Sequence, residues 1–294
     1  MAASARGAPR SATVASGDGH VARLVLCESA GEASDVVLWL PALGVAARHY
    51  VPFAQALSER GIAVAVHEWR GAGSSSLRAG CHVDWGYREL LCEDIAASRA
   101  AVRTTWPRAR GWLGGHSIGG QLASLAAALA PAAPHGLLLV ASGAPYWRLF
   151  RARVAVRAAY GLAPLLAQAC GHFPGRALRF GGREARGVIG DWSRSGRTGR
   201  YSAAGLGANL EDALAALRIP VRALRLRDDW LGPQASLEWL LAKMPGCERR
   251  ADLAGPSELG TRADHFGWMK APAGVAAWAD AQIRGAADGT PTTV

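Results

Sequence analysis

The chain has 294 residues, half of them apolar and 19% charged, which suits one large domain with a sizeable core and excludes a fibrous or natively disordered chain. Its formal net charge is +10, yet 31 of the 33 basic residues are arginine and only Lys243 and Lys270 are lysine. In a chain so rich in alanine and glycine this is as much a coding bias as a sign of a polyanionic partner, and no motif for nucleic-acid recognition accompanies it.

Residues 1–17 hold Ala, Ser and Arg with no acid before Asp18. Their composition resembles a transit peptide, but a disordered N-terminal tail is the reading preferred here. Val36–Leu40 is a short apolar run stopped by Pro41, as in a buried parallel strand. From His49 to Arg60 the residues Tyr50, Phe53 and Leu57 share a helical face, and Gly61 ends it. A strand at 62–66, a loop at Arg70–Gly73, a helix from Glu89 to Val102 and a strand through Trp112 and Leu113 follow. Leu122, Leu125, Ala126 and Leu129 mark the next helix, and residues 136–141 another buried strand.

The alternation breaks after Gly143. From Tyr146 to about Glu211 the sequence carries arginine-rich helical stretches, aromatics and glycine turns without a clear strand. It resumes with a strand at Val221–Leu226, a helix near 235–244 and a last strand around 247–253. Alternating strand and helix imply right-handed βαβ units and a mostly parallel sheet. The expected layout is a core of 18–145 and 212–285 interrupted by a cap at 146–211, with a C-terminal tail from 286 to 294. No window reaches the length of apolar residues that spans a bilayer. Five cysteines (Cys27, Cys81, Cys92, Cys170, Cys247) show no CxxC pair and no matching histidine spacing. That argues against a disulfide framework or a zinc site and for reduced thiols in the cytoplasm.

Gly115-His116-Ser117-Ile118-Gly119 is a Gly-x-Ser-x-Gly pattern lying between a predicted strand and a predicted amphipathic helix. The pattern alone is weak; the strand–turn–helix context carries it. Glycines on either side let strand and helix cross closely, so the serine hydroxyl is exposed above the sheet edge. The helix N-terminus offers N–H donors and the positive end of its dipole to a developing oxyanion. A serine hydroxyl needs a base, and in this arrangement acid and then histidine follow in the chain. Downstream stand His135, His172 and His265. His135 comes too early and His172 falls in the cap, which leaves His265 in Ala263-Asp264-His265-Phe266-Gly267. The acid belongs to the loop after Val221–Leu226, where Asp228 and Asp229 are both candidates.

With these residues in place the chain resembles bacterial α/β-hydrolases of the serine aminopeptidase and monoacylglycerol-lipase-like group, most closely a branch of predicted hydrolases without an assigned substrate. The resemblance runs from about 36 to 280. It includes Pro41-Ala-Leu-Gly44 through Arg48-His-Tyr50, similar to a lipase-type His-Gly-x-Gly loop, and Glu68-Trp-Arg-Gly-Ala-Gly-Ser-Ser75, similar to the group's Asp-x-Arg-Gly-x-Gly-x-Ser. Asp84-Trp-Gly86, Ala141–Arg148, Phe173-Pro-Gly175 and His265-Phe-Gly267 extend it. It implies an α/β-hydrolase fold with helices on both faces of the sheet and a mainly helical inserted cap. The group's acid precedes a proline by four residues, which favours Asp229 with Pro233. It further implies oxyanion donors at the backbone N–H groups of Leu43 and Ile118, although Pro41-Ala42 replaces His-Gly and Glu68 replaces Asp.

The cap segment from Tyr146 to Leu210 holds eleven arginines against Glu184 and Asp191, with Tyr146, Trp147, Phe150, Phe173 and Trp192. One reading is a lid joining an apolar acyl slot to cationic groups, with Tyr146 and Trp147 against substrate; the other is a solvated helical face with aromatics gluing cap to core. The expected activity is hydrolysis of a small-molecule carboxylic ester or thioester, anionic or lipid-like, with no metal or organic cofactor. A serine aminopeptidase-type amidase is the rival, though its substrate's amino terminus calls for an acidic pair in the cap. A catalytically idle binding protein on the same fold is the other alternative. The sequence leaves the oligomeric state open.

Overall fold

A computed structural model describes residues 8–287 of the chain. In chain order it contains β1 (Arg10–Ala15), β2 (Val21–Cys27), β3 (Asp35–Leu40), α1 (Val51–Ser58), β4 (Ala63–Val66), α2 (Tyr87–Glu89), α3 (Ala96–Thr105), β5 (Arg110–His116), α4 (Ile118–Leu129) and β6 (Gly136–Val140). There follow α5 (Arg153–Cys170), β7 (Phe173–Pro174), β8 (Arg183–Glu184), α6 (Arg186–Thr198), α7 (Leu210–Ala216), β9 (Val221–Leu226), α8 (Gln234–Ala242), β10 (Arg249–Ala254), α9 (Pro256–Leu259) and α10 (Ala273–Ala287). A wide π turn at Leu90–Ile95 joins α2 to α3.

Eight strands form one sheet in the order β1-β2-β4-β3-β5-β6-β9-β10. β1 and β2 are antiparallel additions at one edge, and the remaining pairings from β4 to β10 are parallel. β3 from Val36, β4 and β6 are continuous apolar runs because each face of the sheet is covered. Val36, Leu38 and Leu40 of β3 enter the core beneath α3, α4, α7 and α8. Val37 and Trp39 enter the opposite core beneath α1 and α10. Successive side chains of a strand point to opposite faces, so a run without polar residues is what a two-sided burial demands. Trp39, Trp112 and Trp268 are among the largest fully buried side chains, and burial of such a ring stabilises by about 1.5–3 kcal/mol.

The chain leaves β3 for β4 on one side and returns to β5 on the other. The crevice at such a reversal of strand order, outside the carboxyl ends of the strands, is where open α/β sheets bind ligands. Between β6 and β9 lie α5, the β7–β8 hairpin, α6 and α7; α5 packs along α6, and α7 packs on α4 of the core.

Two boundaries differ from expectation. Residues 10–15 are not part of a disordered tail: they pair with β2 from Arg10↔Leu26 to Ala15↔Val21, and Ala12 and Val14 pack on the core. The edge position, with one face solvated, leaves only two partly buried apolar side chains to mark the strand. At the other end α10 continues to Ala287; residues 1–7 and 288–294 lie outside the described residues.

A buried polar network pins the β1–β2 hairpin to the sheet. Arg70 donates through Nε (2.9 Å) and a terminal nitrogen (2.7 Å) to Asp94 and makes a bidentate pair with Asp18. His20 stands between Asp94 Oδ1 (3.0 Å) and Ser75 Oγ (2.9 Å). This Ser–His–Asp row is structural, because the Ser75 oxygen accepts the N–H groups of Gly71 and Leu77 and Asp94 is held by Arg70 and Ser16. Burial alone would raise the Asp94 carboxyl, but Arg70, His20 and Ser16 outweigh it and hold it well below the usual carboxylate range.

Two histidines are buried as neutral rings. Burial pushes His67 down to about 4 despite nearby Asp94, and pushes His116 well below its ordinary value. An unfolded histidine takes up its proton near ~6.5, whereas these folded ones do so only far lower. Stability conferred by both is complete above that pH and is lost as pH falls from ~6.5 toward 4. Urea midpoints should therefore fall steadily between pH 7.5 and pH ~5; a flat profile would contradict the buried neutral rings.

Candidate active site

Ser117 ends β5 and precedes α4, and its backbone lies at φ 59°, ψ −123°. That conformation is strained for a residue with a β-carbon. It persists because strand and helix cross without space to relax. A β-carbon on Gly115 would stand 2.3 Å from the Gly119 carbonyl carbon, and one on Gly119 would stand 2.1 Å from the Leu40 oxygen. The Ser117 N–H donates to the Val140 carbonyl (3.0 Å), and the Ser142 hydroxyl donates to the Ser117 carbonyl (2.8 Å).

Asp229 lies three residues beyond β9, and His265 follows β10 and α9. The two meet at 2.8 Å between Asp229 Oδ2 and His265 Nδ1, both residues buried. The other carboxylate oxygen accepts the N–H groups of Leu231 (2.9 Å) and Gly232 (3.1 Å). With Nδ1–H donated to the carboxylate, His265 Nε2 is left as the basic nitrogen. Asp228 is exposed, and its N–H donates to the Ala263 carbonyl.

Ser117, Ile118, Leu43 and His265 line one cavity of about 670 Å³, a size suited to a small-molecule ligand. Phe150, Tyr160, Phe173, Phe180 and Trp192 supply an aromatic wall from the segment between β6 and β9. Trp230, 74% exposed, and Phe266, 46% exposed, stand at its mouth. Tyr146 and Trp147 are not among the lining residues. Tyr146 packs on Trp239 with ring centroids 5.5 Å apart, and Trp147 lies under the guanidinium groups of Arg148 and Arg157. A helical turn at Trp147–Leu149 carries the chain past them and turns Phe150 toward the cavity instead.

The loop after β3 is held from below. Ala42 N–H donates to the Tyr50 hydroxyl oxygen (2.9 Å), and that hydroxyl donates to His116 Nδ1 (2.8 Å). Burial pushes the Tyr50 hydroxyl far above its ordinary range, so it keeps its proton to donate. The Pro41 carbonyl accepts from the Trp69 indole (3.0 Å), and Glu68 accepts the Ala47 N–H (3.0 Å) and the Ser74 N–H (3.2 Å). Gly44 has φ +73°, and a β-carbon there would lie 2.2 Å from the Gly182 nitrogen. The His116 and His265 rings stand 4.8 Å apart, so one neutral imidazole adjoins Ser117, His265 and the loop bearing Leu43. Nothing in the sequence marks His116 for that position except adjacency to Ser117, and Tyr50 reads there as a core aromatic.

Among the described residues no three of His, Cys, Asp and Glu gather as metal ligands, and no helix is long and apolar enough to cross a membrane.

Residues 31–176, nearly half of the chain, match the family model of serine aminopeptidase, S33. A search of curated proteins returned no match. Among solved structures, a hydrolase from Pseudomonas aeruginosa is similar at 17% identity and TM-score 0.60, covering 94% of this chain and 99% of that one. The esterase domain of a Rhodothermus marinus protein gives 15% identity and TM-score 0.60 over 94% and 99%. The thioesterase domain from the curacin biosynthetic pathway gives 16% and 0.59 over 95% and 100%.

Replacing Tyr50 by Phe removes the acceptor for a buried N–H and the donor to His116. We expect a loss of about 1–3 kcal/mol in urea-unfolding free energy and a fall in kcat larger than any change in KM. Unchanged stability and kcat would show that the loop does not depend on this pair.

Proposed function

Because the chain is an α/β hydrolase of the serine aminopeptidase-like group, we propose that it is a serine hydrolase cleaving a carboxylic ester or thioester through an acyl-enzyme on Ser117. The observation that carries this reading is the Asp229–His265 hydrogen bond facing the cavity that also holds the strained Ser117.

In the proposed reaction Ser117 Oγ attacks the acyl carbonyl while His265 Nε2 takes its proton. Asp229 fixes the imidazole tautomer and stabilises the imidazolium that forms. The negative charge gathering on the carbonyl oxygen is met by the N–H groups of Ile118 and Leu43. Collapse breaks the bond to the alcohol or thiol, which leaves with the proton from His265. Water then attacks the acyl-enzyme with His265 again as base, releasing the acid and restoring the Ser117 hydroxyl. Side chains and backbone supply every proton and charge in this sequence.

Ester rather than peptide substrates are favoured by the cavity lining, which holds Arg176 and Arg179 and no carboxylate. A cationic substrate amino terminus would find no partner there. Five unpaired cysteines suit work in a reducing, cytoplasmic setting.

A fluorophosphonate probe should form a covalent adduct on the wild type and none on Ser117→Ala; equal labelling of both would sink the serine mechanism. Asp229→Asn should cost about 10³–10⁴ in kcat, whereas Asp228→Asn should stay within a few-fold of wild type. Turnover of aminoacyl anilides but not of p-nitrophenyl esters would reverse the choice of substrate class.

A further inference from the structure

The hairpin β7–β8 bears on substrate choice. Its turn presses on the loop that carries Leu43: the space a β-carbon would need at Gly181 is bounded at 3.2 Å by Leu43 Cδ2, and Gly44 abuts Gly182. The position of residues 176–182 is thereby fixed relative to Ser117. Two arginines of this turn, Arg176 and Arg179, line the cavity.

Their surroundings differ. Arg176 lies near Glu184, whose carboxyl is pushed up to about 6 by burial against the opposing pull of the Gly182 N–H and of Arg176 itself. Arg179 has no carboxylate partner among the described contacts. Its backbone sits at φ 55°, one of three non-glycine residues with positive φ among those described, Ser117 being another. Strained residues persist where the surrounding structure over-determines them, and they cluster at binding and catalytic positions. Both arginines are exposed, at the edge of a cavity whose lining holds no carboxylate, and such an unmatched positive potential is one that an anion would complete.

We infer that the cavity carries an anion-binding subsite at Arg179, assisted by Arg176, and that the substrate is an ester or thioester bearing a carboxylate or phosphate. This rests on the hydrolase reading above and names its substrate class. The aromatic wall of Phe150, Tyr160, Phe173 and Trp192 takes the apolar part of the substrate, while the anion lies along the β7–β8 turn. The fork of the guanidinium suits either anion, since both present paired oxygens.

Two pairs of substrates separate the sources of the charge. A carboxylate on the acyl part is tested with p-nitrophenyl hexanoate against the p-nitrophenyl monoester of hexanedioic acid. A phosphate on the leaving part is tested with S-hexanoyl pantetheine against S-hexanoyl phosphopantetheine. In one pair the anionic member should have the higher kcat/KM, and Arg179→Gln should cut that preference by about tenfold or more. Glutamine keeps a β-carbon, so the backbone strain is the same in the variant. Arg153→Gln, on the solvent side of α5 and away from the cavity lining, should keep the preference. No preference in either pair, or a preference that survives Arg179→Gln, would overturn the subsite while leaving the hydrolase reading intact. Calorimetry gives a readout independent of turnover. Octanedioate should bind more tightly than octanoate, or octyl phosphate more tightly than octanol, and Arg179→Gln should abolish the difference. If no ester is hydrolysed, the hydrolase reading fails, and the presence or absence of that difference decides the subsite.

Discussion

The arrangement depends on one close crossing. β5 and α4 approach so tightly that no side chain fits at Gly115 or Gly119, and the residue between the flanking turns has no freedom to leave φ 59°. The energy stored in that turn is small beside the packing of the surrounding strands and helix, which is why the conformation holds. Its result is geometric. The hydroxyl of Ser117 stands at the carboxyl end of the sheet, where the chain reverses direction between β3, β4 and β5. The loops after β3, β9 and β10 converge on the same end, so Leu43 and His265 reach one cavity from distant parts of the sequence, with Asp229 bonded to His265.

The second organising element is polar. Where relatives of this kind carry His-Gly, this chain carries Pro41-Ala42, and proline at that point removes a backbone donor. The neighbouring Ala42 N–H is satisfied by Tyr50, Tyr50 is satisfied by His116, and Trp69 holds the Pro41 carbonyl. Hydrogen bonds between buried partners in low dielectric are strong, although His116 Nε2 at the end of this row has no partner. The loop thus gains from below the fixity that its own sequence does not supply.

How legible this was in the sequence depended on the kind of signal. β3, β4 and β6 are apolar runs buried on both faces, and such runs stand out in any window. β1 does not, because an edge strand with one wet face leaves only Ala12 and Val14 as partly buried apolar marks. α10 is similarly faint: its alanines and glycines carry propensity but little periodic contrast, and only Val275 and Ile283 are large aliphatic anchors. Asp229 and Asp228 have the same chemistry and adjacent positions; the spacing to Pro233 favours Asp229, and the three-dimensional turn buries it and exposes Asp228. Tyr146 and Trp147 read in the sequence either as aromatics facing substrate or as packing between cap and core, because residue type suits both. Whether an aromatic faces a cavity or a neighbouring helix is decided by the direction of one short turn, and no composition encodes that.

Gly44 and Gly182 are in contact with no room for even a methyl group between them. One belongs to the core loop beside the nucleophile and the other to the hairpin of the inserted segment. The hairpin is therefore no exchangeable module. An inserted segment taken from another protein would have to reproduce this contact, or it would displace the loop that carries Leu43.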